Sequence, residues 1–319
     1  VKTKYLLLFT LSLVSACATV NETTTFPKTN PTSSNTVPFQ LLDNRMFVDV
    51  MIDGQGPFKF VFDTGGNNCL TPEVAKKLNL PMKSIEDATG AGEKSVKAWK
   101  VQTTTFQIGA LKLSSQEFMV LDFSQIKKAF DLPAFDGIFG YEFLQKFSAR
   151  IDFVENNISF LPMGQLPTEG YSEIQFSLLG DKPVISAKIN ELEAKVLIDT
   201  GDRSALTIFS NFIKNKSIQR AFKDRHPQIT GYGIGGPIPA RLSQVDSLEI
   251  SPQTKLKNVV SRSPVTKGGF NAIPHVNASI GNEILRQFDV IFDYKNKLVY
   301  FRPNKFFGES TRFTPVPVL

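Results

Sequence analysis

Two stretches of the chain carry the same rhythm of apolar and polar positions. "RMFVDVMIDGQGPFKFVFDTG" alternates or clusters β-forming residues and breaks at Gly-Gln-Gly-Pro, which predicts a hairpin whose return strand ends at Asp63. "PVISAKINELEAKVLIDTG" repeats the pattern from Pro183, with a turn near Asn190 and a return strand ending at Asp199. Each return strand runs into Asp-Thr-Gly. A single Asp-Thr-Gly is weak, since residue frequencies alone supply one in roughly one chain in ten of this length. Two copies, each closing a strand that reads as buried, are not accounted for that way.

A second phrase recurs in the same order. "GIFGYEFLQKFSARIDF" and "ASIGNEILRQFDVIFDY" align at Gly140 and Gly281, and then at Glu142/Glu283, Leu144/Leu285, Phe147/Phe288 and Asp152/Asp293. Apolar residues in "YEFLQKF" and "NEILRQF" fall at helical spacing, so short helices are expected there, each followed by a pair of strands. An internal duplication is the simplest account. It gives an expected all-β fold with short helices, in two lobes at 38–163 and 168–304, followed by a tail at 305–319.

The N-terminus differs in kind. "VKTKYLLLFTLSLVSAC" has a short basic start, an apolar stretch and small residues before Cys17, which reads as a secretory signal over 1–16. "LVSAC" resembles a bacterial lipobox, which implies lipidation at Cys17 and anchoring in the cell envelope; in a Gram-negative host the expected place is the outer membrane, facing the periplasm. A plain signal peptide cut near Ala16 or Ala18 is the alternative. Residues 17–37 are polar, contain proline and lack periodicity, so a flexible tether is expected.

Composition narrows the chemistry. Of 319 residues, 41% are hydrophobic and 21% charged, as in ordinary globular proteins. The net charge of +6 is scattered, without a dense basic run, so no nucleic-acid partner is expected. The cysteines are Cys17 and Cys69, which leaves the mature chain no intramolecular disulfide; Cys69 reads as an apolar packing residue. His226 and His275 have no metal-ligand spacing, and neither a metal nor a cofactor is expected.

Asp-Thr-Gly after an apolar strand, followed by "IFG" at 138–140 and "SIG" at 279–281, resembles the aspartic peptidases, specifically a tandem, retropepsin-like arrangement. The resemblance implies an acid-protease-like β-barrel in each lobe and an Asp63–Asp199 catalytic pair shared between them. It also implies that Thr64 and Thr200 tie the two loops together, while Gly65 and Gly201 free backbone N–H groups for the carboxylates. Two carboxyls about 3 Å apart hold one proton between them, so one can deprotonate water while the other donates to a peptide carbonyl. The family often has Ser, Thr or Ala after the motif; here stand Gly66 and Asp202. Gly66 gives up a side-chain donor without a clash. Asp202 brings a third carboxylate to the pair unless it turns outward or pairs with Arg203.

By the same resemblance, a glycine-bearing hairpin closes over substrate. "ITGYGIGGPIPARL", residues 229–242, fits that role, with Tyr232 and Gly233 touching substrate and 88–99 as the first-lobe counterpart. An ordinary glycine-rich hairpin is the plainer reading. The expected protein is a monomeric, membrane-tethered aspartic endopeptidase acting on peptides or proteins. The alternative is a two-lobed peptide-binding lipoprotein that has lost turnover.

Overall fold

The computed structural model describes residues 24–25, 35–164, 166–269 and 273–317. The signal segment, Cys17 and most of the tether lie outside the described residues.

Both expected hairpins form. Arg45–Ile52 pairs with Gln55–Phe62, and Lys182–Ile189 pairs with Leu192–Ile198. The first turns one step earlier than Gly-Gln-Gly-Pro suggests, at Asp53–Gly54, where φ is 49° and 74°. Two positive-φ residues give the twist that a tight hairpin needs. Asp53 tolerates it because its Oδ1 accepts from Thr104 N (2.8 Å) and Thr105 N (2.7 Å). The second turn sits at Asn190–Glu191, φ 48° and 64°.

The fold is all-β and acid-protease-like. Among the described residues the strands form an eleven-stranded and a thirteen-stranded sheet. In the first, Gly137–Phe139 lies parallel to Gln55–Phe62 and antiparallel to Cys69–Leu70. In the second, Ala278–Ile280 lies parallel to Leu192–Ile198 and antiparallel to Leu206–Ile208. Each strand that leads into Asp-Thr-Gly thus has a parallel neighbour of the same kind. The helices after Gly140 and Gly281 are single turns, Tyr141–Leu144 and Asn282–Leu285.

The halves are also joined by strands. Ser148–Asp152 pairs with Phe288–Asp293 from the far end of the chain, and within the first half Asn157–Leu161 pairs with Thr36–Pro38. This corrects the extent of the tether: residues 35–37 are structured, and Asn35 and Val37 are buried. Within the same stretch, Thr24–Thr25 pairs with Lys112 and Leu113. A cluster of phenylalanines fills the first half, with Phe62, Phe139, Phe143 and Phe160 linked by ring contacts at 4.9–6.4 Å. Buried apolar area of this kind stabilises by about 25 cal/mol per Å². Here it fixes the strands whose ends carry the two motifs. Among the described residues no helix is long and apolar enough to cross a membrane.

Candidate active site

At the ends of Gln55–Phe62 and Leu192–Ile198 the two motifs meet across the middle of the molecule. Thr64 N donates to Thr200 Oγ1 (2.9 Å), and Thr200 N donates to Thr64 Oγ1 (3.0 Å). Each hydroxyl then donates beneath the opposite loop, Thr64 Oγ1 to Ile198 O (2.8 Å) and Thr200 Oγ1 to Phe62 O (2.9 Å). Both threonines are fully buried. The loops have further supports: Tyr294 Oη donates to Thr64 O (3.3 Å), and Asn282 Nδ2 to Thr200 O (2.6 Å). The recurring glutamates brace the surrounding turns. Glu142 accepts from Asn68 N (2.8 Å) and Asn67 Nδ2 (3.0 Å), and Glu283 accepts from Asn44 Nδ2 (3.0 Å).

This lock sets Asp63 and Asp199 side by side, each close enough to perturb the other's carboxyl. The glycines are required by that approach. A Cβ on Gly65 would sit 2.6 Å from Asp199 Cγ, and one on Gly201 would run into the Asp63 carboxyl. Each motif's glycine therefore makes room for the other motif's acid. Backbone donors follow: Gly65 N to Asp63 Oδ1 (2.8 Å), and Gly201 N and Asp202 N to Asp199 Oδ1 (2.9 and 3.1 Å).

Both carboxyls are pushed up from the ordinary aspartate range, first by burial. Their surroundings differ. Asp63 is partly relieved by the Gly65 N–H, by Asp199, and by the charges of Lys182 and Arg45. Asp199 is driven further up by Asp63 and by Asp202. Burial and like charge both penalise the ionised form, so the pair retains a proton well above the pH at which a free aspartate would lose it.

Asp202 is neither turned outward nor paired with Arg203. It is buried and accepts from Ser204 N (2.9 Å), Ser204 Oγ (2.6 Å), Thr207 Oγ1 (2.9 Å) and Arg262 Nη2 (3.0 Å). Burial would raise it, but Arg262 and these donors hold it below the usual range, so it stays ionised. Arg203 instead pairs with Asp43, donates to Thr314 O (2.8 Å) and lies over the Phe130 ring at 4.9 Å. Gly66 is confined: a Cβ there would stand 2.6 Å from Asp63 Oδ2.

Asp63 and Asp199 line a cleft of about 250 Å³. Tyr232 and Gly233 line it, from the hairpin of Gln228–Gly233 and Gly236–Ser251. Tyr232 packs edge-on against Phe130, ring centres 6.3 Å apart. The loop at 88–91 lines it from the other side, and the two loops join overhead. Gly92 N donates to Ile234 O (2.8 Å) and Lys94 N to Gly235 O (3.1 Å). Cys69 also reaches the cleft; burial pushes its thiol up, which leaves it an uncharged wall residue. His226 and His275 are exposed and away from the cleft lining.

Three of the site's cations were not visible as site residues in the sequence. Lys182 begins the first strand of the second hairpin, just after the turn at Gly180–Asp181, and pairs with Asp181 at 2.6 Å. Arg45 pairs with Asp43 and donates to Gly201 O (3.3 Å), and Arg262 holds Asp202. Lys182 and Arg45 each follow a recognisable turn, but nothing local marks either of them as facing Asp63.

No curated protein matches the chain. A family model described as aspartyl protease matches residues 48–143, the stretch that holds the first Asp-Thr-Gly and Gly140. By that match, on the fold and geometry above, the chain is similar to the aspartyl proteases and hydrolase-like at the level of the family.

Proposed function

We propose that the protein is an aspartic endopeptidase in which Asp63 and Asp199 act as one acid–base pair. The observation that carries this reading is the mutual threonine lock that brings two partly buried carboxyls side by side in the wall of a covered cleft. Lys182 and Arg45 stand on the side of Asp63 and the ionised Asp202 on the side of Asp199, and in this reading Asp199 carries the shared proton. Asp63 then accepts a proton from water as the water oxygen bonds to the peptide carbonyl carbon. Asp199 gives its proton to the carbonyl oxygen, forming a neutral tetrahedral diol. In the second step the C–N bond breaks as the amine nitrogen takes a proton from Asp63 and a diol hydroxyl returns one to Asp199. Proton transfers of this kind contribute about 10²–10⁴-fold in rate.

Substrate enters when the hydrogen bonds of Gly92 and Lys94 to Ile234 and Gly235 open, and Tyr232 then lies over it. Lids of this sort gate access and exclude water. One chain supplies both carboxyls, so a monomer suffices. The leader and Cys17 support an envelope lipoprotein held by its N-terminal lipid; Cys17→Ala, followed by membrane fractionation and mass measurement of the N-terminal peptide, tests that part. Digestion of a mixed peptide library from acid to neutral pH, with and without a statine-type inhibitor, tests the activity. Inhibitor-sensitive cleavage is the expected result. Absence of cleavage would favour a silent peptide-binding protein instead.

A further inference from the structure

The two halves lay an equivalent row of residues across four strands beneath the dyad, and the rows differ in chemistry. In the first half, Val61, Ile138, Cys69 and Met119 stand in register on adjacent strands. In the second, Leu197, Ser279, Thr207 and Arg262 hold the same positions. The order of parallel and antiparallel neighbours is identical, so the equivalence comes from backbone pairing alone. Leucine for valine keeps the first position apolar. The other three change from Ile, Cys and Met to Ser, Thr and Arg.

All four members of the first row line the cleft, and so do Ser279 and Arg262 of the second. Ser279 is 3% exposed, and its Oγ has no hydrogen-bond partner among the described residues. Arg262 is held by three contacts: Nε to Thr207 Oγ1 (2.9 Å), Nη2 to Asp202 Oδ1 (3.0 Å) and Nη1 to Thr230 O (3.4 Å). A guanidinium has five N–H donors, so two remain. A wall that only filled space would not place an unpaired hydroxyl and spare cationic donors where its twin has isoleucine and methionine. Buried polar groups of native proteins are nearly always satisfied, and an orphan calls for a reason.

We infer that the cleft is two-sided in specificity. Against the first row it takes a large apolar side chain. Against Ser279 and Arg262 it takes a side chain ending in an oxygen acceptor, a carboxylate or a carboxamide. The residues on either side of the scissile bond are therefore unlike. This rests on the peptidase reading for the word scissile, but the preference is a property of binding and is measured separately.

The test uses one peptide backbone with the central pair Leu–Leu, Leu–Gln, Leu–Glu, Gln–Leu or Glu–Leu. Each is made twice, with a normal peptide bond for cleavage and with a reduced, uncleavable bond for affinity. One orientation of an oxygen-bearing pair should bind about tenfold tighter than Leu–Leu, the worth of one or two good hydrogen bonds. The Gln and Glu arms decide between carboxamide and carboxylate. Ser279→Ala, a small change checked by circular dichroism, should reduce that preference about five- to tenfold. Met119→Gln should weaken the apolar preference of the opposite side and leave the oxygen preference in place. Equal affinity for all pairs, no binding, or a preference untouched by Ser279→Ala overturns the inference. A clear binding preference without cleavage of the normal peptides supports it and overturns the peptidase reading instead.

Discussion

Replacing Thr200 by valine removes one hydroxyl, keeps the side-chain shape, and separates the hydrogen bonds of the lock from its packing. Thr200 Oγ1 accepts from Thr64 N at 2.9 Å and donates to Phe62 O at 2.9 Å. Valine therefore leaves one backbone donor and one acceptor unpaired beneath fully buried side chains. An orphaned buried group costs about 1–3 kcal/mol, so the expected loss of stability is about 2–6 kcal/mol. No cavity forms, and the loss is assigned to the bonds. Thr64→Val orphans a different pair, Thr200 N and Ile198 O, and should cost about as much. Thr200→Ser retains the hydroxyl and should recover most of the loss. Urea unfolding measures this directly, with an unchanged slope showing that only stability moved. Peptidase turnover should fall as well, since a misplacement of about 1 Å can cost about 10²-fold. A Thr200→Val protein that loses less than about 1 kcal/mol and keeps full turnover would refute the lock.

Asp202→Asn should move the basic limb of the pH–activity profile toward acid, because the charge that pushes Asp199 up is gone; it should also lose about 3–5 kcal/mol of stability by leaving Arg262 buried without its partner. Gly66→Ala should abolish most activity while the chain still folds, since its Cβ would stand 2.6 Å from Asp63 Oδ2; turnover and circular dichroism together check it. Tyr232→Ala should weaken substrate affinity with nearly unchanged thermal stability, and a large loss of stability with normal kinetics would place Tyr232 in the core. Asp63 and Asp199 are both raised, so the folded state holds protons that the unfolded chain releases. The stability they contribute is complete below the free-aspartate range and is lost as pH rises through their folded values. Asp199→Asn should therefore flatten the fall in stability between acid and neutral pH, which urea midpoints across pH would show.

What the sequence revealed and what it hid divide by range. The two hairpins, the two Asp-Thr-Gly loops and the single-turn helices after Gly140 and Gly281 are written in contiguous residues, so pattern alone locates them. The partners of Asp202 are not. Arg203 is its chain neighbour and the obvious choice, yet the residue that holds it is Arg262, delivered by a distant strand parallel to Leu206–Ile208. Arg203 points instead to Asp43. Thr36–Pro38 looks like the end of a polar tether because its pairing with Asn157–Leu161 is made far along the chain. The unlike rows beside the dyad were hidden for the same reason: Met119 and Arg262 correspond only once the strand register is known.

The measurement that tests the shared dyad most directly is cleavage of the peptide library by Asp63→Asn, Asp199→Asn and the double variant beside the wild type. Asparagine is nearly isosteric and relieves the like-charge penalty, so all three should fold. Each single variant should lose at least about 10²–10⁴-fold in turnover, although the residues lie in different halves of the chain. The double variant should be little worse than either, because groups that act as a unit are not additive. A single variant that keeps near-wild-type cleavage, or a double variant whose loss is the product of the two, would contradict the account.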